Sequence, residues 1–197
     1  MKLTQTSYVI LGLLSISPGS GYDIRKAVKE TVGYFWSESY GQIYPTLKRL
    51  TKLGLITPVT SASTDKRRRQ EYSLTEAGHA CLKEWLAIPF QNDPPRNEFL
   101  LKLFFGREAS PSVAMAHVGN CNEKNRKMLA VLRGFEKMAQ QQATPTPHQP
   151  YWMLTLSLGI ALTQTALEWG EAALVTLAAM DESPEAEEPQ VIEMIER

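Results

Sequence analysis

The stretch Ser39-Tyr40-Gly41-Gln42-Ile43-Tyr44-Pro45-Thr46-Leu47-Lys48-Arg49-Leu50-Thr51-Lys52-Leu53-Gly54-Leu55-Ile56 decides the fold. It reads as one short helix with two unlike faces. Ile43, Leu47 and Leu50 recur at i, i+4 and i+7 and form one apolar stripe. Gln42, Thr46, Arg49 and Lys52 fall on another side, and all four are polar or basic. Gly54 suits the residue just past a helix end, with Lys48, Arg49 and Lys52 in the closing turns. Leu55-Ile56 then opens an apolar strand. Such a helix fits an ordinary surface position or the major-groove element of a DNA reader. Its neighbours decide between the two.

Pro45 limits where this helix begins. A proline deep inside a helix removes an N–H and crowds the preceding turn, at about 3 kcal/mol. The residue is tolerable only if the helix starts near Gly41, which leaves Pro45 close to the first turn. Upstream, Tyr8-Val9-Ile10-Leu11-Gly12-Leu13-Leu14 is a dense apolar helix that Thr4 or Thr6 can cap. Ser17-Pro18-Gly19-Ser20-Gly21 makes a turn. A second helix begins at Gly21, with Ile24, Ala27 and Val28 on its inner face. Three helices joined by short connections within about fifty residues form a helix-turn-helix pattern.

Downstream, Thr57-Pro58-Val59-Thr60 and Gln70-Glu71-Tyr72-Ser73-Leu74 read as two strands around a polar turn and the run Lys66-Arg67-Arg68-Arg69. This is a β-hairpin wing with a cationic tip. Four adjacent cations repel one another, and a phosphate backbone relieves that repulsion while releasing counterions. Alone, such a run reads as a solvated surface; at this distance after the candidate helix it reads as a phosphate contact. Thr75 caps the next helix, in which Leu82, Trp85 and Leu86 are expected to face inward.

Charge supports this division. Net charge is zero over 197 residues, yet residues 1–88 carry 12 Lys/Arg against 7 Asp/Glu, and residues 89–197 carry 9 against 14. A basic module that meets a polyanion, joined to an acidic body, fits these counts. Cys81 and Cys121 are the only cysteines and form no CxxC pair. Both sit on apolar helix faces and read as core residues. With no secretory start, the expected compartment is the reducing cytoplasm.

The motifs Gly21-Tyr22-Asp23-Ile24, Gly41-Gln42-Ile43-Tyr44-Pro45-Thr46-Leu47, Gly54-Leu55-Ile56 and Arg69-Gln70-Glu71-Tyr72-Ser73-Leu74-Thr75-Glu76-Ala77-Gly78 resemble the PadR family of bacterial transcriptional regulators. The resemblance covers residues 3–87. It implies a mostly α fold: a winged helix-turn-helix domain with a two-stranded wing, followed by an α-helical dimerisation domain. It further implies a homodimer that reads a palindromic operator on double-stranded DNA, usually as a repressor. Family members often take a small aromatic or lipophilic effector between the two domains. Tyr8, Trp36, Trp85, Phe99, Phe104, Trp152 and Trp169 are either walls of such a site or plain core.

The expected domains are 1–88 for DNA binding, 96–180 for dimerisation and 181–197 as an acidic flexible tail. In the second, Ser110-Pro111 starts a helix running to about Gln142. Its stripe of Ala114, Val118, Cys121, Asn125, Met128, Leu132, Phe135 and Ala139 alternates spacings of four and three, a heptad seam about 45 Å long. Asn125 is the expected register-fixing polar residue. Tyr151 to Leu167 carries no charge. Thr155, Ser157, Thr163, Gln164 and Thr165 dilute it, so we expect burial at a subunit interface and no membrane span.

The histidines, His79, His117 and His148, lie far apart without a metal-ligand spacing, and no phosphate-cradling glycine motif appears. No enzyme, metal or cofactor is expected. Gln42, Thr46 and Arg49 are the base-edge candidates. Lys48 and Lys52 are the phosphate candidates, Ser39 flanks them, and Tyr40 and Tyr44 reach either a phosphate or the core. Lys66, Arg67, Arg68 and Arg69 are the wing contacts. The competing reading is a protein-interaction module built on the helical half, which predicts no salt-dependent affinity for duplex DNA.

Overall fold

A computed structural model describes residues 3–36, 40–59, 70–90, 96–141, 144 and 146–182. The chain forms two compact units, Met1–Asp93 and Pro94–Arg197. Ser39, Lys66, Arg67, Arg68, Arg69 and the acidic stretch beyond Glu182 lie outside the described residues.

The first unit starts with α1 (Gln5–Ile16). Thr4 occupies its N-cap in extended backbone, but its hydroxyl bonds the Ser7 hydroxyl at 3.0 Å rather than a backbone N–H. α2 (Gly21–Glu30) opens with a complete capping box: the Asp23 N–H donates to Ser20 Oγ, and the Ser20 N–H donates to Asp23 Oδ2. α3 (Ile43–Lys52) follows a short 3-10 turn at Tyr40–Gln42. Pro45 is therefore the third helical residue, where its missing N–H has no intrahelical partner to lose.

The end of α3 is a full Schellman turn. Gly54 has φ +68°, the Leu55 N–H donates to the Leu50 carbonyl at 3.0 Å, and the Gly54 N–H donates to the Thr51 carbonyl at 3.0 Å. The chain then enters β2 (Ile56–Pro58), returns through β3 (Glu71–Leu74), and passes into α4 (Glu76–Ala87). Thr75 joins these pieces. Its hydroxyl donates to the Gly54 carbonyl at 2.7 Å and accepts from the Gly78 N–H at 3.1 Å. Gly78 presses so closely on the Leu55 carbonyl that a β-carbon has no room there.

Among the described residues the sheet has three strands, one more than the expected wing hairpin. β1 (Gly19–Ser20) lies in the turn before α2 and pairs antiparallel with β3, Gly19 opposite Tyr72 and Ser20 opposite Glu71. β2 pairs with the other edge of β3, Ile56 opposite Leu74 and Pro58 opposite Tyr72. Pro58 thus sits on an edge strand, where its lack of an N–H is tolerated.

One core fills the unit: Ile10, Leu11, Leu14, Ile24, Val28, Ile43, Leu47, Leu50, Ile56 and Leu82. Trp85 stacks on Tyr8 with ring centroids 4.4 Å apart. Burial, then the neighbouring Cys81 and Glu84, raise the Tyr8 phenol above its ordinary range. Leu86 corrects the sequence reading, being 68% exposed. The inward arc of α4 runs through Gly78, Cys81 and Leu82; Trp85, also expected inward, is 38% exposed and covered mainly by its stack on Tyr8, and Leu86 falls past the rim.

The second unit contains α5 (Glu98–Phe104), α6 (Pro111–Gln140) and α7 (Gln149–Glu182). Asn97 caps α5 through its side chain, and Pro111 is the first residue of α6. α6 and α7 form an antiparallel hairpin. Gln149 Nε2 reaches the Ala139 carbonyl, Arg133 reaches Gln164, and Arg126 pairs with Glu171 at 3.2 Å. The heptad seam of α6 finds its partner here, in its own chain, with Ala114, Val118 and Leu132 buried. The fully buried polar residue is Asn122, not Asn125. Gly170 of α7 lacks a side chain, and the Asn122 amide fills the space one would take. Asn125 is only partly buried, its amide 3.7 Å from Cys121 Sγ.

α7 is not buried all round. Met153, Leu156, Thr163 and Leu167 lie on its covered side, whereas Leu154, Leu158 and Leu162 are 68%, 61% and 63% exposed. Among the described residues no helix is long and apolar enough to cross a membrane.

Candidate nucleic-acid interface

The geometry of α3 follows from a wide apolar arc. Ile43, Leu47 and Leu50 are each no more than 1% exposed and dock the helix on α1 and α2. Burying three such side chains stabilises the docking by roughly 1.5–3 kcal/mol each. Thr46, placed outside by the i, i+4, i+7 reading, is only 7% exposed. A packed helix face is some 100° wide and takes in the i+3 position, so Thr46 forms the rim of the packed arc, next to Leu50. This removes Thr46 from the outward set.

The outward surface holds Gln42, Tyr44, Pro45, Lys48 and Lys52, with Arg49 partly buried at its edge. Tyr44, Lys48 and Lys52 stand four residues apart and make one row along the helix. The hydrophobic stripe thus turns a row of one phenol and two ammonium groups, flanked by an amide and a guanidinium, to solvent. Lys52 and Arg49 lie in the last turn, where the helix dipole favours cations. Tyr40 belongs to the 3-10 turn that leads into α3.

Tyr44 is the residue whose setting the sequence did not convey. Its ring leans on Gly21, the first residue of α2, and is still 56% exposed. β1 immediately precedes that glycine and pairs with β3 of the wing. The same few residues therefore support both the flank of α3 and the base of the wing. No sequence period announces this, because a two-residue strand has none.

Among the described residues no cluster of His, Cys, Asp and Glu has the arrangement of a metal site. Cys81 and Cys121 are both partly buried and unpaired with each other. The exposed face of α3 offers hydrogen-bonding groups and positive charge, the set that recognises phosphates and base edges.

Residues 10–84 match the model of the transcriptional regulator PadR-like family, and residues 95–178 match the model named virulence activator alpha C-term. The chain is 34% identical over 176 residues to the negative transcriptional regulator PadR of Bacillus subtilis, covering 86% of this chain and 96% of that protein. The crystal structure of B. subtilis PadR in complex with operator DNA superposes with a TM-score of 0.75 at 32% identity, covering 87% of this chain and 98% of the other. The crystal structure of the same protein in complex with p-coumaric acid gives a TM-score of 0.72 at 30% identity, covering 90% and 99%. Motifs, fold and both halves of the chain agree, and the protein belongs to the PadR-like family of transcriptional regulators.

Proposed function

We infer that this regulator is a cytoplasmic homodimeric repressor that binds a palindromic operator and leaves it when a small aromatic or lipophilic effector binds. The observation that carries the reading is the solvent face of α3, a cationic and hydrogen-bonding row on a helix whose other side is fixed in the core. The relative solved with operator DNA supports the DNA partner, and the relative solved with p-coumaric acid supports an aromatic effector. The first unit binds DNA. Gln42 and Arg49 read base edges, Lys48 and Lys52 hold phosphates, and Lys66, Arg67, Arg68 and Arg69 grip the backbone from the wing. The second unit makes the dimer, and two α3 helices meet successive major grooves about 34 Å apart.

Fluorescence anisotropy on a duplex from upstream of this gene tests the reading. Arg49→Ala with Arg68→Ala is expected to weaken binding at least tenfold, more on the specific duplex than on a scrambled one. A folded dimer that binds no duplex at low salt overturns the function. A monomer by light scattering at micromolar concentration overturns the dimer.

A further inference from the structure

Gly21 is buried at the first position of α2. A β-carbon there would lie 2.6 Å from Cε1 and 3.2 Å from Cδ1 of Tyr44, and 3.1 Å from Cδ1 of Leu47. Cε1 is bonded to the ring carbon that carries the hydroxyl. One edge of the phenol thus rests on the bare glycine, and the residue as a whole stays 56% exposed. The seat itself is held from two further directions. Gly19 and Ser20 pair with β3, and Ser20 closes the capping box with Asp23.

We propose that Gly21 is a positioning residue for DNA reading: its missing β-carbon seats the Tyr44 phenol, which holds the hydroxyl in place on the flank of α3 to donate to a backbone phosphate. The inference rests on the DNA-binding reading given above. A phenol free to rotate loses conformational entropy on engaging a phosphate, and one already seated against backbone loses less. A hydroxyl is neutral, so it displaces no counterion. Phosphates carry no sequence information in their contacts. Tyr44 therefore leaves a signature unlike its neighbours in the row: it strengthens binding on every duplex equally and leaves the salt dependence alone. Lys48 and Lys52 steepen the salt dependence, and a base-reading residue changes discrimination.

The test uses the full chain and two labelled duplexes, one from upstream of this gene and one scrambled, titrated across a salt series. Tyr44→Phe is expected to weaken both complexes roughly tenfold with the salt slope unchanged, the loss of one hydrogen bond to a charged oxygen. Gly21→Ala is expected to weaken them at least as much, and adding Tyr44→Phe to Gly21→Ala is expected to cost nothing more. Where Gly21→Ala is poorly folded by circular dichroism, Gly21→Ala with Tyr44→Ala removes the ring that the new methyl strikes and is read against Tyr44→Ala alone. Equal affinities support the seat, and a further loss overturns it. Tyr44→Phe binding like the wild type, or losses that simply multiply in the double variant, overturns the inference and leaves the DNA reading standing. A wild-type chain that binds neither duplex overturns both.

Discussion

α3 and α7 each cover one face and leave the other bare, but the bare faces differ in kind. α3 turns Gln42, Tyr44, Lys48 and Lys52 outward. α7 turns Leu154, Leu158 and Leu162 outward, in a stretch without a single charge from Tyr151 to Leu167. Water accepts the first surface at little cost, so only a partner of opposite charge gains from covering it. The second exposes a run of apolar side chains that a monomer rarely leaves in contiguous form. The uncovered face of the first helix suits a polyanion by charge and hydrogen bonding. The other favours a protein surface by exclusion of water, and a second copy of this chain meets it without charge repulsion. Both helices are covered on one side only; the chemistry of the uncovered face decides what comes to it.

The comparison breaks most sharply at α7. Leu158→Glu with Leu162→Glu places charge in the apolar run and is expected to give monomers by light scattering. DNA affinity then falls by roughly two to four orders of magnitude, because two tethered half-site contacts become one. Retained dimers with both glutamates present would move the interface elsewhere.

The covered side of α7 offers a second test. Gly170→Ala drives a methyl into the Asn122 amide and is expected to destabilise the second unit by about 1–3 kcal/mol in denaturant unfolding. Asn122→Ala clears the space. Its Nδ2 has no hydrogen-bond partner in the fold, so the double variant is expected to recover most of the loss. Absence of recovery would mean that Asn122 is not what confines Gly170.

On α3, Lys48→Ala with Lys52→Ala is expected to weaken specific and scrambled duplexes alike, about tenfold at moderate salt. The log–log salt slope is expected to fall by roughly 1.8, two phosphate contacts at 0.9 each. An unchanged slope would mean that these ammonium groups stand clear of the backbone.

The smallest effect concerns two surface carboxylates. The Lys102 ammonium, bonded to Glu98 at 2.8 Å, holds that carboxyl below its ordinary range, and Lys127 does the same to Glu123. A depressed folded-state pKa contributes stability above the unfolded value and loses it as the pH falls through the folded one. Acid titration of Glu98→Gln and Glu123→Gln is therefore expected to differ slightly from the wild type above the ordinary glutamate range and to converge below it. Both groups are exposed and screened. A large difference would indicate a coupling that these helices do not display.

Much of α3 was legible in advance because its signals are local. Gly54 was placed just past the helix end by residue type, and its positive φ and the two bonds around it bear that out. Pro45 limited the start of the helix for a steric reason that needs no partner. Thr46 was misplaced because a narrow stripe was drawn where packing buries a wide arc. β1 and Gly78 were missed for another reason. Each owes its role to a segment far along the chain, β3 in one case and the Leu55 carbonyl in the other. Asn122 belongs with them: periodicity on α6 favours Asn125, and only the bare backbone at Gly170 explains why its neighbour is the one enclosed. The cationic wing tip and its four candidate residues depended on sequence alone.

β3 is the central strand, bonded to β2 on one edge and to β1 on the other. The hairpin β2–β3 closes locally, but β1 arrives from some fifty residues upstream and can join only after the intervening helices have collapsed. The inner strand of the wing is thereby a late and global contact rather than an early and local one. Amide exchange along Glu71–Leu74 should accordingly track unfolding of the whole unit rather than fraying of a hairpin. Exchange of that kind would mean that β3 is lost together with the core, so that a partly unfolded copy would keep no paired strand beside α3 with which to hold an operator.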